Sequence, residues 1–210
     1  MSDIADEIYR VHRETGERRG AAGPVRTVLA RRVFDAEVAE VWDAVTSPER
    51  LRTWFLPVDG DLRAGGRYRI EGSAEGEILA CVAPERLRVS WLAGPDPGFS
   101  EVELRLAPDG AGRTVLELEH ASEVPEEFWR QFGPGAAGVG WDLMLLGLSR
   151  HLSGAASDVE AGADWPASPE AKDFVTLSGE AWGAAYAASG ADAEVVAATT
   201  AATIGFYTQT

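Results

Sequence analysis

The chain has 210 residues, 45% hydrophobic and 25% charged, which suits one domain with a real core, or one domain plus an appendage. A formal net charge of −15 argues against nucleic acid and against anionic membrane surfaces, since both are held mainly by Lys and Arg. Cys81 is the only cysteine, so an intramolecular disulfide and a zinc site of several cysteines are excluded.

Residues 1–24 read as a polar N-terminal segment. Ile4, Ile8 and Val11 recur at helical spacing, which leaves a short amphipathic helix and a frayed end as alternatives. "MSDIADEIYRVHRETGERRG" lacks the apolar centre of a secretory signal, and no apolar run approaches bilayer length. A cytoplasmic location is the simplest expectation.

"VRTVLARRVF" (25–34) has the composition of a strand. "DAEVAEVWDAVTS" predicts a helix with Asp35 as N-cap and Val38, Val41, Trp42 and Val45 as its apolar stripe. "SPERLRTWF" predicts a second short helix, with Ser47 as cap and Pro48 in the first turn, where its missing N–H costs nothing.

The period then changes from helical to alternating. Tyr68 and Ile70 oppose Arg67 and Arg69, and Leu87, Val89 and Trp91 oppose Arg88 and Ser90. Val102, Leu104 and Leu106 oppose Glu101, Glu103 and Arg105, and Leu116, Leu118 and His120 oppose Val115, Glu117 and Glu119. This alternation predicts an antiparallel sheet with one wet and one buried face.

From Gly135 to Gly154, a helix about 28 Å long carries Trp141, Met144, Leu145, Leu148 and Leu152 on one face. Residues 155–177 read as a loop. The remainder predicts two helices broken at Ser189 and Gly190, with Trp182 and Tyr186 on the first and Val196, Thr200, Thr203 and Tyr207 on the second. The aromatics of these helices need cover, either from the same domain or from a second copy in a homodimer.

A sheet with one apolar face must be covered, and the helix after Gly135 is the only predicted element long enough to do so. The small residues Gly135, Ala136, Ala137, Gly138 and Gly140 at its start would leave space between helix and sheet. The inner face (Tyr68, Trp91, His120, Trp141, Met144) is aromatic with few polar groups, which is the composition of a small-molecule pocket and equally of a packed core.

"FDAEVAEVWDAVTSPERLRTWFLPVDGDLRAGGRYRIEG", "CVAPERLRVSW", "RTVLELEH" and "GVGWDLMLLGL" together resemble the SRPBCC superfamily, the START/Bet v 1-like helix-grip proteins. Within it they resemble the branch named for homologues of the activator of the ninety-kilodalton heat-shock protein ATPase. The resemblance covers residues 25–154. It implies an α+β helix-grip fold, a curved antiparallel sheet wrapped around a long C-terminal helix, with 1–24 a polar lead-in and 155–210 a linker and helical extension packed on the domain. In this fold the short helix pair plugs one end of the sheet, so Trp54 and Phe55 become cavity-end or core aromatics.

Trp54, Phe55, Tyr68, Trp91, Leu118, His120, Trp141, Met144 and Leu145 are therefore the candidate ligand-binding residues. His120 is also the candidate general base, weighed against a core-edge histidine satisfied by a hydrogen-bond partner. Asp142 is placed on the solvent side of the long helix, weighed against a carboxylate near the entrance that orients a ligand. His12, His120 and His151 are too scattered for a metal site, no phosphate loop or hydrolase elbow is present, and no cofactor is expected. Three functions follow: binding of a small hydrophobic or aromatic molecule without chemistry, a cyclase- or aromatase-like reaction in the same cavity, or a co-chaperone role suggested by the family. A cavity smaller than roughly 100 Å³, against ~300 Å³ at the lower end for established sites, would remove the first.

Overall fold

The computed structural model describes residues 4–21, 23–94, 98–155 and 165–209. In chain order they form α1 (Ile4–Tyr9), β1 (Val11–Arg19), β2 (Pro24–Phe34), α2 (Val38–Thr46), α3 (Pro48–Trp54), β3 (Val58–Gly60), β4 (Arg67–Ile70) and β5 (Glu75–Val82). Next come β6 (Arg86–Ser90), β7 (Ser100–Pro108), β8 (Thr114–Glu123), α4 (Glu126–Phe132) and α5 (Gly135–Leu152). A 3₁₀ turn at Trp165–Ala167 leads into α6 (Pro169–Ala188) and α7 (Ala193–Thr208). The strands make one eight-stranded antiparallel sheet in the order β1-β2-β8-β7-β6-β5-β4-β3. The sheet curves around α5, which is the helix-grip arrangement.

The alternating sequence sets the register. Val102 faces His120, Leu104 faces Leu118 and Leu106 faces Leu116 across β7 and β8, so these side chains share one face. Leu116 and Leu118 are fully buried there against Leu145 and Leu148 of α5, each side chain contributing about 1.5–3 kcal/mol of apolar burial. On the other face Arg105 pairs with Glu103 and Glu117, and Arg86 with Glu103. Among the described residues no helix is long and apolar enough to cross a membrane.

The structure departs from the sequence expectations at five places. Val11 does not continue a helix: it opens β1, a nine-residue edge strand paired with β2 along its whole length. The strand is nearly all polar because only one of its faces meets protein, so neither apolar period marks it. Asp35 is not the cap of α2; that helix begins at Val38 with Glu37 in the cap position and no side-chain cap bond. The region 155–177 is loop-like only in part. Residues 156–164 lie outside the described residues, and α6 starts at Pro169, capped by Ser168, whose Oγ accepts from the backbone N–H of Ala171 at 3.1 Å.

The fourth departure concerns the small residues of α5. They do not open space towards the sheet; they seat the C-terminal helices. A Cβ on Gly138 would lie 2.3 Å from the Trp182 ring, and one on Gly135 would lie 2.9 Å from Thr203. The Tyr207 hydroxyl donates to the Ala136 carbonyl at 2.7 Å, and Thr203 to that of Phe132 at 2.9 Å. Trp182 is fully buried as a result, whereas Phe206, expected to be covered, remains 58% exposed with its ring against Phe132.

The fifth is Asp142. It is not on a solvent face but only 2% exposed, enclosed where β1, α5 and α6 meet. Arg13 Nε reaches both of its oxygens at 3.0 and 3.3 Å, and Ser178 and the Trp182 indole N–H both donate to Oδ2. Arg13 also donates to the carbonyls of Ile8 and Val11. Burial pushes the Asp142 carboxyl up, opposed by Arg13 and the two neutral donors. A second buried pair, Glu7 with Arg32, is completed by the Ser149 hydroxyl at 2.7 Å. Both pairs tie the N-terminal segment to the domain.

Candidate functional site

A cavity of about 160 Å³ lies between the sheet and α5, closed at one end by α2 and α3. Val45 and Trp54 come from α2 and α3, with Phe55 following directly. Tyr68 and Ile70 of β4, Val89 of β6, then Trp91, line one side. Val102 and Leu118 of β7 and β8 form the floor, and Trp141 and Met144 of α5 the roof. Seven of the nine candidate residues thus converge: Trp54, Phe55, Tyr68, Trp91, Leu118, Trp141 and Met144. Leu145 and His120 do not line it; Leu145 is fully buried in the core.

The wall carries no charged side chain among the described residues, and most of its polar groups are already engaged. The Trp54 indole N–H donates to the Ala44 carbonyl at 3.0 Å. The Tyr68 hydroxyl donates to the Ser90 carbonyl at 2.7 Å, and burial pushes it well above its ordinary range. Thr46 donates to the Trp42 carbonyl at 2.7 Å. Trp91 and Trp141 meet edge to face, 5.0 Å between centroids, a geometry in which a ring edge lies on a ring face.

His120 stands behind this aromatic wall. The Trp141 indole N–H donates to His120 Nδ1 at 3.1 Å, and Ser100 Oγ lies 2.9 Å from Nε2. An indole N–H can only donate, so Nδ1 carries the lone pair and Nε2 the proton, which Ser100 accepts. Burial lowers the imidazole to about 4, so the ring is neutral at neutral pH. Both nitrogens are occupied by partners that fix the tilt of Trp141.

Several lining residues escaped the sequence reading, and for Cys81 and Leu62 the reason is structural. Ile78 pairs with Val89, but Ala80 pairs with Arg88 and Cys81 with Leu87, so β5 carries one extra residue. That bulge moves the inward face from even to odd positions and turns Cys81 to the cavity side. Cys81 is both exposed and part of the lining, as is Leu62 in the β3–β4 connection, so these two mark the mouth. No periodicity announces a bulge, and Leu62 sits alone in the polar "DGDLRAGG". Among the described residues no group of three or more His, Cys, Asp or Glu could hold a metal ion.

The curved sheet, the gripped helix and the apolar cavity between them define a helix-grip protein. The chain belongs to the family described as activator of Hsp90 ATPase homolog 1-like proteins, whose model matches residues 35–153. It is similar to CalU16 from Micromonospora echinospora, whose crystal structure is 38% identical, covers 83% of this chain and 97% of that one, and superposes with a TM-score of 0.66. The protein MLL2253 from Mesorhizobium loti is 28% identical over 61% of this chain and 97% of its own, with a TM-score of 0.53. DynU16, described as a protein of the dynemicin biosynthetic locus, is 26% identical over 62% of this chain and 48% of its own, with a TM-score of 0.53. No curated protein matches the chain.

Proposed function

We propose that this protein binds a small, apolar, uncharged molecule in the cavity beneath α5 and performs no chemistry on it. The observation that carries the reading is the wall itself: five aromatic side chains and a ring of aliphatic side chains, with no charged group among them. At about 160 Å³ the space is near half of the ~300 Å³ at which drug-sized sites begin, so the occupant is a molecule of one or two rings. His120 supports binding over catalysis, because the lone pair a general base needs is held by Trp141. The likeness to DynU16, a protein of a biosynthetic locus, agrees with a biosynthetic product or intermediate as occupant.

Tetralin, a neutral bicyclic hydrocarbon, tests the reading. Trp54, Trp91 and Trp141 line the cavity and Cys81 stands at its mouth, so two signals are available. Saturating tetralin is expected to change tryptophan fluorescence and to slow iodoacetamide modification of Cys81. If neither responds up to the solubility limit, the cavity is only a packing gap and the reading fails.

A further inference from the structure

The polar groups of the wall restrict what the occupant can be. The wall holds five side chains able to donate through nitrogen or a hydroxyl: Thr46, Trp54, Tyr68, Trp91 and Trp141. Four of these donors are spent within the protein, on the Trp42, Ala44 and Ser90 carbonyls and on His120. Trp91 differs. It is half-buried, its ring is fixed edge to face against Trp141, and its indole N–H donates to no group among the described residues. An indole N–H that loses water without gaining an acceptor is costly, by the general rule that buried donors are matched. The absence of Asp, Glu, Lys or Arg from the wall makes the entry of an ionised molecule costly as well, because its charge would lose its hydration with nothing in return.

We infer that the occupant is a neutral, flat ring compound bearing a carbonyl oxygen, such as a cyclic ketone, and that this oxygen accepts the Trp91 indole N–H. The inference rests on the cavity being a binding site and adds the ligand's charge state and its one polar contact. Trp91 is then the residue that sets specificity, with the remaining rings supplying apolar area. Trp141 cannot substitute for it, since His120 already takes its N–H.

A matched set of probes decides the question on the unmodified protein: tetralin, its ketone 1-tetralone, and the carboxylate 1,2,3,4-tetrahydro-1-naphthoate. Affinities are read by tryptophan fluorescence and by calorimetry. 1-Tetralone should bind about two- to tenfold more tightly than tetralin, the range of one net hydrogen bond, and the carboxylate at least about tenfold more weakly than tetralin. Trp91→Phe keeps an aromatic side chain, though a smaller one, and removes the N–H. In that variant the preference for 1-tetralone over tetralin should vanish, with both probes sharing whatever affinity the smaller ring costs. Equal binding of ketone and hydrocarbon by the native protein overturns the inference while leaving the binding reading intact. So does a carboxylate that binds as tightly as the ketone. Failure of all three probes overturns the binding reading itself. Near-UV circular dichroism checks that the variant is folded, and the native probe series decides the matter even if it is not.

Discussion

The Trp141 indole N–H meets His120 Nδ1 at 3.1 Å, with the two rings at 88° to each other. One hydrogen bond therefore fixes both the tautomer of a largely buried histidine and the tilt of a cavity-wall ring. Protonating Nδ1 would set two donors against each other, so the site works only with neutral imidazole.

This relationship carries a pH dependence. Burial lowers His120 from 6.5 to about 4 in the folded protein. Between those values the unfolded chain binds the additional proton, so stability falls as pH drops from about 6.5 to 4 and is unaffected by this group above 6.5. The full loss is about 3 kcal/mol. Comparing the denaturant unfolding of the native protein with that of His120→Gln isolates the group from the carboxylates. The stability difference between the two should shrink or reverse towards pH 4, and a constant difference from pH 7 to 4 would refute the assignment.

The buried Arg13–Asp142 pair makes β1 and α6 depend on α5. Asp142→Ala leaves the Arg13 charge and the Ser178 and Trp182 donors unmatched, and should cost about 3–5 kcal/mol. Arg13→Ala should cost a similar amount. The double variant should be far less unstable than the sum, with a coupling energy above about 1 kcal/mol in urea unfolding. Additive losses would show that the two residues act separately.

Two glycines of α5 should respond in opposite directions. A Cβ on Gly138 meets Trp182 at 2.3 Å, and that ring is fully enclosed, so Gly138→Ala should destabilise by about 1–3 kcal/mol and weaken the near-UV signal of Trp182. On Gly140 the nearest atom is the Tyr207 hydroxyl at 3.4 Å, and Gly140→Ala should gain about 0.5–1 kcal/mol from helix propensity. Equal effects at both positions would contradict the seating of α6 on Gly138.

Cys81 offers a test of the mouth. It is exposed and borders the cavity, so the N-ethylmaleimide adduct should lower tetralin affinity by at least about tenfold without unfolding the protein. Cys81→Ser should bind normally and be indifferent to the reagent. Unchanged affinity in the adduct would move the entrance elsewhere.

The sheet strands were legible because one of their faces is wet: Leu116 and Leu118 alternate with Glu117 and Glu119, and that contrast survives in the sequence alone. Most of the cavity wall followed, since Tyr68, Trp91, Leu118 and Trp141 sit at positions whose facing is set by a period of two or of 3.6. Other parts had no local signal. β1 reads as polar because its apolar demand is confined to Val11 and to the aliphatic stem of Arg13, and Cys81 turns inward only through a bulge. Phe206 looked as much in need of cover as Trp182, and only the seat offered by Gly138 separates the two.

By itself the sequence determined the apolar faces of β4, β6, β7, β8 and α5, and the family, because these depend on local periodicity and on short motifs. Tertiary structure alone decided that Asp142 is enclosed by Arg13, Ser178 and Trp182, and that His120 serves Trp141 and not the cavity. It also left the Trp91 indole N–H without an acceptor among the described residues while engaging the wall's other N–H and hydroxyl donors. The physical reason is that a polar group's role is set by its hydrogen-bond partners and by its access to water. In this chain those partners lie 129 residues apart for Arg13 and Asp142 and 21 apart for His120 and Trp141, beyond the reach of any local pattern.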